Sequence, residues 1–216
     1  MRNRDAARMS DEDAKLAWEK MGGLIPAIVQ DRASGRLLML GYMDRAALAA
    51  TRQSGFATFY SRSRQRLWEK GETSGHRLRV AAIRPDCDGD ALLVLAEPSG
   101  PTCHLGSVSC FGDAALDGPG WFAELLAIVG ERAACVDEAS YTRELLASGP
   151  ERIAQKIGEE GVEVALAAVG GSPGRCAEEV ADLVYHLTVL MQAVGFGWSD
   201  VVAVLQDRHR ASGRSA

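Results

Sequence analysis

The sequence lacks several features that would assign it to common classes of protein. No apolar run approaches the roughly 20 residues of a membrane-spanning helix, so we expect no membrane partner. The first fifteen residues are charged without an apolar core, which is not a secretory signal. The net charge is −5 and there is no basic tail, which argues against nucleic acid as a partner. Five irregularly spaced cysteines make no disulfide framework and indicate a reducing cytoplasm, where clustered cysteines more often bind metal.

The composition is that of an ordinary globular protein, with 216 residues of which 47% are hydrophobic and 25% charged. This length suits one large or two small domains. A turn-rich segment at 112–120 (GDAALDGPG) separates two different patterns. We therefore predict an α+β domain with a metal site at residues 1–115, followed by an all-α helical bundle at 116–216.

Apolar residues that recur about every 2 or every 3.6 positions locate the strands and helices of the two domains. Strands are predicted at 24–29, 36–40, 56–61, 78–83 and 91–97. Helices are predicted at 10–21, 44–53, 121–132, 140–147, 151–169, 175–194 and 199–210. We expect Ser10 and Asp44 to cap the first two helices, with Glu12 and Asp13 in the first turn of one and Gly55 ending the other.

Residues 86–90 (DCDGD) place three carboxylates and one thiol within five positions. Unpaired carboxylates repel one another and are costly to bury, so a cation is the simplest partner that would hold them together. If the segment is extended, Asp86, Asp88 and Asp90 share one face and Cys87 points to the other. The aspartates then form a site for a hard, oxygen-seeking ion.

Cys87 and the later Cys103 and Cys110 suggest a second, softer ion. Three thiolates leave one position of zinc for water, which is the ligand count of a catalytic site. Spacings of 16 and 7 residues are not a tight metal signature, so buried inert thiols are the alternative. For the aspartates the alternatives are a plain Asp-Gly turn and an EF-hand loop, although Ala91 stands where that loop needs glycine.

A loop at 61–76 combines cations, hydroxyls and glycines, a composition suited to binding phosphate, although a solvated charged loop has the same composition. A large aromatic side chain within it is suited to packing against a flat ligand. The predicted substrate-binding residues of this loop are Arg62, Arg64, Trp68, Lys70, Thr73 and Ser74. His76 and His104 are candidate proton carriers in a hydrolysis, or else ordinary structural histidines.

Two acidic pairs occur on consecutive helices of the second domain. Glu160 and Glu163 are three residues apart, as are Glu179 and Asp182, so each pair lies on one helical face. Facing carboxylates beside an apolar stripe resemble a cage for Mg²⁺, which would favour attack of water on a phosphoanhydride. The alternative is an acidic face exposed to solvent.

Long motifs resemble two enzyme families. The segments at 59–76 (FYSRSRQRLWEKGETSGH), 86–90 and 100–111 (GPTCHLGSVSCF) resemble phosphoribosyl-AMP cyclohydrolase of histidine biosynthesis. Those at 151–168 (ERIAQKIGEEGVEVALAA) and 178–190 (EEVADLVYHLTVL) resemble phosphoribosyl-ATP pyrophosphohydrolase, with the ExxE and ExxD pairs of all-α nucleotide pyrophosphohydrolases. The resemblance extends from Gly23 to His209, in the order of the bifunctional family.

The resemblance implies two consecutive hydrolyses of phosphoribosyl nucleotides. The second domain would release pyrophosphate from phosphoribosyl-ATP, with Mg²⁺ on the four carboxylates, Glu163 in catalysis and Lys156 binding substrate. The first would open the adenine ring between N1 and C6, with Zn²⁺ on the three cysteines acidifying the attacking water and Mg²⁺ on the three aspartates. The resemblance also implies a homodimer, with zinc ligands contributed by both chains.

Two other functions are compatible with the residues themselves. One is a house-cleaning nucleotide pyrophosphohydrolase with a zinc-stabilised, ligand-binding N-terminal domain. The other is a non-enzymatic zinc-stabilised binding protein, which would require a fourth protein ligand such as His104.

Overall fold

The structure, a computed structural model, describes residues 15–114, 116–135 and 140–212. The chain divides into two compact units, one ending at Leu116 and the other beginning at Asp117. In its described residues the first unit is built on β-sheets with one helix, and the second is helical.

A four-stranded sheet with the order β2-β1-β6-β5 organises the first unit. β1 and β6 run parallel, whereas β1–β2 and β5–β6 are antiparallel. A separate hairpin consists of β3 and β4. The strands are β1 (Ile25–Asp31), β2 (Leu37–Met43), β3 (Thr58–Ser61), β4 (Arg66–Glu69), β5 (Leu78–Pro85) and β6 (Leu92–Pro98), and the helix α1 spans Arg45–Ser54.

Alternating burial explains why these strands form the core. Every second residue of β1 and β6 is removed from solvent, as expected for strands packed on one face. The buried residues of the two strands are Ile25, Ala27, Val29, Leu92, Val94 and Ala96. The caps predicted for α1 are confirmed, because Asp44 accepts a hydrogen bond from the Ala47 amide at 2.6 Å and Gly55 ends the helix with φ of 77°.

Two local predictions are wrong in this unit. Residues 15–23 form turns in place of the C-terminal part of the predicted helix 10–21, whereas its capping residues Ser10, Glu12 and Asp13 lie outside the described residues. Leu16 and Trp18 are both buried although two positions apart, a spacing that one face of a helix cannot supply. The second error is β4, which pairs with β3 within the predicted loop.

The described part of the second unit has five helices around a small apolar core. The helices are α2 (Trp121–Ala134), α3 (Tyr141–Ala147), α4 (Pro150–Val169), α5 (Pro173–Val194) and α6 (Trp198–Ser212). Val129, Leu145, Ile153 and Val189 are buried together in the core. α4 and α5 begin earlier than predicted because proline fits the first turn of a helix, where its missing N–H is not needed.

No single helix in the described part of the chain is long and apolar enough to cross a bilayer. α5 and α6 meet that criterion only as a pair, and the two are bent by 103° at the break between them.

Candidate functional site

A cleft of about 460 Å³ in the first unit brings together two of the predicted sequence motifs. The β3–β4 turn, the loop after β4 and the segment after β6 all contribute to its lining. The predicted site residues that line it are Arg64, Trp68, Lys70, Thr73, Ser74, His76, Cys103, His104 and Cys110. The cleft is therefore lined by cationic, hydroxyl, thiol and imidazole side chains.

The basic loop is held in place by the hairpin and by its own backbone. Trp68 pairs with Phe59 across the hairpin, and the two ring centroids are 5.2 Å apart. The Lys70 amide donates to Ala57 O at 2.9 Å. At Gly71, φ is 88° and a Cβ atom would clash with the backbone of His76, so only glycine closes the loop in this way. The cleft wall is thus fixed by β-structure that the sequence did not predict.

Arg62 lies apart from the other predicted substrate-binding residues. Its guanidinium lies 4.1 Å from the centroid of the Tyr42 ring, a cation–π contact. It lines a neighbouring cleft together with Tyr42, and Trp68 borders both clefts. In this structure Arg62 therefore does not line the cleft that the other predicted substrate-binding residues of the loop share.

Two of the three predicted zinc ligands are adjacent. The thiols of Cys103 and Cys110 are within hydrogen-bonding distance of each other. The Leu105 amide donates to Cys103 Sγ at 3.5 Å, and this bond, followed by one from Ser107, lowers the pKa of Cys103. Although Cys110 is an exposed residue, partial burial of its thiol and then the nearby Cys103 raise its pKa. Metals bind the thiolate form, which the lowered pKa of Cys103 favours.

The acidic segment 86–90 is closer to the alternative of an Asp-Gly turn than to an extended segment. Residues 87–90 bend, and Gly89 has φ of 74°, so the segment is not extended. A Cβ atom at Gly89 would clash with the Lys15 carbonyl oxygen, and the Ala17 amide donates to Gly89 O at 2.9 Å. The loop is therefore shaped by the chain segment that precedes β1.

The bend nevertheless gathers the three aspartates. Oxygen atoms of Asp86, Asp88 and Asp90 lie within 4.8 Å of one another. Lys20 Nζ is 2.8 Å from Asp88 and 2.7 Å from Asp90. The hydrogen bonds that Lys20 donates to these carboxylates raise its pKa, and the ammonium in turn lowers the pKa of Asp88. Three carboxylates at this separation could hold a divalent ion.

Cys87 is separated from the other two cysteines in a single chain. Its Sγ is 4.0 Å from Asp88 Oδ1, and the residue is exposed. Within residues 15–114, 116–135 and 140–212, two groups of three metal-binding side chains bring their ligand atoms within 4.8 Å, and the cysteines are not one of them. Among the residues that the structure describes, the three thiols are therefore not gathered within 4.8 Å of one another.

The second group lies between α4 and α5. Oxygen atoms of Glu160, Glu179 and Asp182 lie within 4.8 Å of one another. Glu163 lies beside Glu179, and the close contact between the two carboxyl groups, followed by the repulsion between their charges, raises the pKa of Glu163. The predicted helical pairs thus face each other, and three carboxylates at this separation fit a hard divalent ion.

Lys156 lies beside this cluster. Its Nζ is 3.0 Å from Glu160 Oε1 and 2.9 Å from Glu159 Oε2. The hydrogen bond with Glu159 and then that with Glu160 raise the pKa of Lys156. An ammonium so placed remains charged and lies at the edge of the group, where an anionic ligand of a bound ion would approach.

Two residues that contact the clusters were not predicted from the sequence. Lys20 touches the aspartates, and nothing in its local sequence indicates this. His186 is buried on α5, with Nδ1 3.6 Å from Glu160 Oε1 and Nε2 3.1 Å from the hydroxyl oxygen of Tyr141. Its position one helical turn after Asp182 was the available signal.

Comparison with known proteins accounts for both units. The family model for phosphoribosyl-AMP cyclohydrolase matches residues 39–112, and that for phosphoribosyl-ATP pyrophosphohydrolase matches residues 122–209. The relatives include the histidine biosynthesis bifunctional protein HisIE of Salmonella typhimurium, 52% identical over 91% of this chain and 96% of the relative. The HisIE proteins of Xanthomonas axonopodis pv. citri and Vibrio parahaemolyticus are 54% and 48% identical over 93% and 95% of this chain, and over 96% and 98% of their own lengths.

Proposed function

Because the chain belongs to the HisIE family of bifunctional histidine-biosynthesis enzymes, we propose that its two units carry out consecutive hydrolyses at the two sites described above. The protein is a phosphoribosyl-ATP diphosphatase and a phosphoribosyl-AMP cyclohydrolase. The second unit hydrolyses phosphoribosyl-ATP to phosphoribosyl-AMP and pyrophosphate, and the first opens the adenine ring of phosphoribosyl-AMP between N1 and C6. The alternative of a passive N-terminal domain is disfavoured by the cyclohydrolase match.

Ring opening takes place in the 460 Å³ cleft, and the observation that carries this assignment is the meeting of thiols, imidazoles and cations there. Zinc bound by the cysteines supplies an acidified water molecule. Arg64 and Lys70 bind substrate phosphate, with Thr73 and Ser74 as hydroxyl donors, and Trp68 packs against the flat base. His76 and His104 transfer protons to and from the ring nitrogens. Arg62 would have to leave the Tyr42 ring to reach the same substrate.

The zinc site is completed by a second copy of the chain. Leu105 and Phe111 flank the adjacent thiols and are 82% and 67% exposed, which favours an apolar interface at this position. A partner docked there could contribute its own copy of Cys87 to the Cys103–Cys110 pair. In the second unit, exposed Val162, Leu166 and Val169 on α4 offer a further apolar surface. We therefore infer a homodimer, and the dependence on free thiols favours the reducing cytoplasm.

Pyrophosphate release takes place at the α4–α5 carboxylates. Glu160, Glu179 and Asp182 hold Mg²⁺, which neutralises phosphate charge when bound. Glu163, at the edge of the group and beside Glu179, completes the set and accepts a proton from the attacking water. Lys156 binds the substrate phosphates. In the first unit, Mg²⁺ on Asp86, Asp88 and Asp90 anchors a phosphate of the nucleotide.

Mass spectrometry of the products formed from phosphoribosyl-ATP with Mg²⁺ and Zn²⁺ tests the proposal. Pyrophosphate together with the ring-opened formimino product is the expected result. Accumulation of phosphoribosyl-AMP alone would contradict the zinc assignment, and unaltered substrate would contradict both sites. Zinc stoichiometry combined with light scattering tests the shared site, since a monomer that retains zinc on all three cysteines would rule it out.

A further inference from the structure

A chain of polar contacts connects the α4–α5 carboxylates to α3 through a buried histidine. His186 is 5% exposed, and its Nδ1 is 2.8 Å from the backbone carbonyl oxygen of Asp182. The same nitrogen is 3.6 Å from Glu160 Oε1. On the other side of the ring, Nε2 is 3.1 Å from the hydroxyl oxygen of Tyr141, the first residue of α3. Both ring nitrogens are therefore engaged inside the second unit.

The acceptors determine where the proton of the imidazole lies. A backbone carbonyl only accepts, so Nδ1 carries the hydrogen and donates it to Asp182 O. In the neutral ring Nε2 is then the acceptor, and the Tyr141 hydroxyl donates to it. The N–H that points to the carbonyl also presents positive charge to Glu160. Tyr141 thus fixes the ring in the tautomer that faces the carboxylate.

Two nitrogen atoms approach the same carboxylate oxygen of Glu160. Lys156 Nζ at 3.0 Å and His186 Nδ1 at 3.6 Å both approach Oε1. Oε2 is the oxygen that can bind an ion while both contacts persist. Glu160 is itself only 6% exposed, so its orientation depends on these neighbours and not on water.

We propose that His186, oriented by Tyr141, is a positioning residue that turns Glu160 so that Oε2 faces the ion site between α4 and α5. This inference rests on the proposed pyrophosphohydrolase site. Partners of this kind, which orient a ligand without binding the ion, affect metal affinity or activity by about 10- to 100-fold when removed. A second contact also links α3 to α5. Thr142 Oγ1 is 2.8 Å from the hydroxyl oxygen of Tyr185, the residue that precedes His186.

The test is a titration of Mn²⁺ by electron paramagnetic resonance in the full-length chain. Asp88→Asn and Asp90→Asn are introduced as a common background, so that the cluster between α4 and α5 is the site measured. We expect His186→Leu to raise the Kd for Mn²⁺ by about tenfold or more, and Tyr141→Phe by about threefold. His186→Asn, which retains a donor near the position of Nδ1, should recover a Kd within about threefold of the background protein.

Thr188→Val is the matched control on the same helix. Thr188 is buried and its hydroxyl donates to Val184 O at 2.8 Å, also one turn back, so its removal costs a buried hydrogen bond without touching the carboxylates. It should lower the melting temperature and leave the Kd unchanged. The Mg²⁺ concentration for half-maximal pyrophosphate release should rise in His186→Leu, while kcat at saturating Mg²⁺ changes less.

The outcomes separate positioning from a structural role. An unchanged Kd in His186→Leu, or equal shifts in His186→Leu and Thr188→Val, would overturn the proposal, as would His186→Asn behaving like His186→Leu. If His186→Leu fails to fold, Tyr141→Phe decides, since it removes a single oxygen atom. A background protein that binds no Mn²⁺ and releases no pyrophosphate would overturn the proposed function first, and this inference with it.

Discussion

The two carboxylate clusters contain the same groups, three acids and a lysine, but are built in opposite ways. Asp86, Asp88 and Asp90 come from five consecutive residues of a bent loop, and the side chain of Asp88 is 56% exposed. The other cluster is assembled from two helices, and the side chain of Glu160 is 8% exposed. One site is an open loop, whereas the other is set into a helical hairpin.

The difference in construction has consequences for the ions that each cluster binds. Lys20 forms solvent-exposed ion pairs with the loop, and such pairs contribute little to stability and are readily exchanged for another cation. In the helical cluster, buried His186 and partly buried Lys156 constrain the carboxylate before any ion arrives. The loop is therefore suited to anchoring a phosphate through a replaceable ion, and the helical cluster to holding an ion for chemistry.

The largest effect is expected from Cys103→Ser, which should lower the activity of the first unit and leave that of the second unchanged. Loss of the thiolate should remove zinc and lower the rate of ring opening by about a thousandfold, since the acidified water is lost. Pyrophosphate release should be unchanged, because the α4–α5 carboxylates lie in the other unit. Zinc content and the two product assays measure this. Cys135→Ser, an exposed cysteine outside the cleft, is the control, and full zinc in Cys103→Ser would refute the ligand assignment.

Glu163→Gln should produce the reverse pattern. Removing this carboxylate should slow pyrophosphate release by about 100-fold, the range typical of a lost general base, while ring opening of supplied phosphoribosyl-AMP continues. Steady-state assays with each substrate provide the comparison. Glu178→Gln, an exposed neighbour of the cluster on α5, should behave as wild type. Wild-type pyrophosphate release in Glu163→Gln would exclude a catalytic role for this residue.

The same contrast explains which parts of the site sequence patterns could predict. The helical pairs were found because the helix period is local: residues three apart share a face whatever else the chain does. The capping of α1 by Asp44 is likewise local. The facing of α4 and α5 followed from the short turn between them. These features needed no knowledge of distant contacts.

Features that depend on distant contacts were missed or predicted incorrectly. Lys20 reaches carboxylates 68 and 70 residues away, and Tyr141 meets a histidine 45 residues later. The residues of 86–90 left an extended segment and a turn both open, because the packing of the segment before β1 on Gly89 is a contact with a distant part of the sequence. β4 was not predicted because it lies within a loop of charged and polar composition. Pairing with β3 makes these residues a strand.

A smaller effect is expected from Lys20→Met, which tests whether the loop cluster is replaceable. Removing the competing ammonium should lower the Kd of the loop for Mn²⁺ by about three- to tenfold, an effect that salt reduces. The titration is made in chains carrying Glu179→Gln and Asp182→Asn, so that the helical cluster does not contribute. Lys15→Met makes the same charge change in the same segment and should leave the Kd unaltered. Equal shifts in both variants would indicate a general charge effect and not competition.

The smallest expected effect is on the free energy of unfolding. The contributions of Asp88 and Glu163 to it should change in opposite directions as pH rises. Lys20 lowers the pKa of Asp88 below its ordinary 3.8, so the stabilisation is complete above that value and is lost as pH falls through the lower folded pKa. Glu179 raises the pKa of Glu163 above its ordinary 4.5, so that its contribution is complete below that value and is lost as pH rises through the folded pKa.

Urea unfolding of metal-free protein from about pH 2.5 to 7 measures both contributions. Wild type should gain stability over Asp88→Asn as pH rises towards 3.8, whereas Glu163→Gln should gain on wild type as pH rises above 4.5. Both groups are exposed, so the changes should be small and should shrink with added salt. If the contributions of Asp88 and Glu163 to stability changed with pH in the same direction, the ammonium of Lys20 would not neutralise the loop. The contrast between an ion-paired loop and a self-repelling helical cluster would then fail.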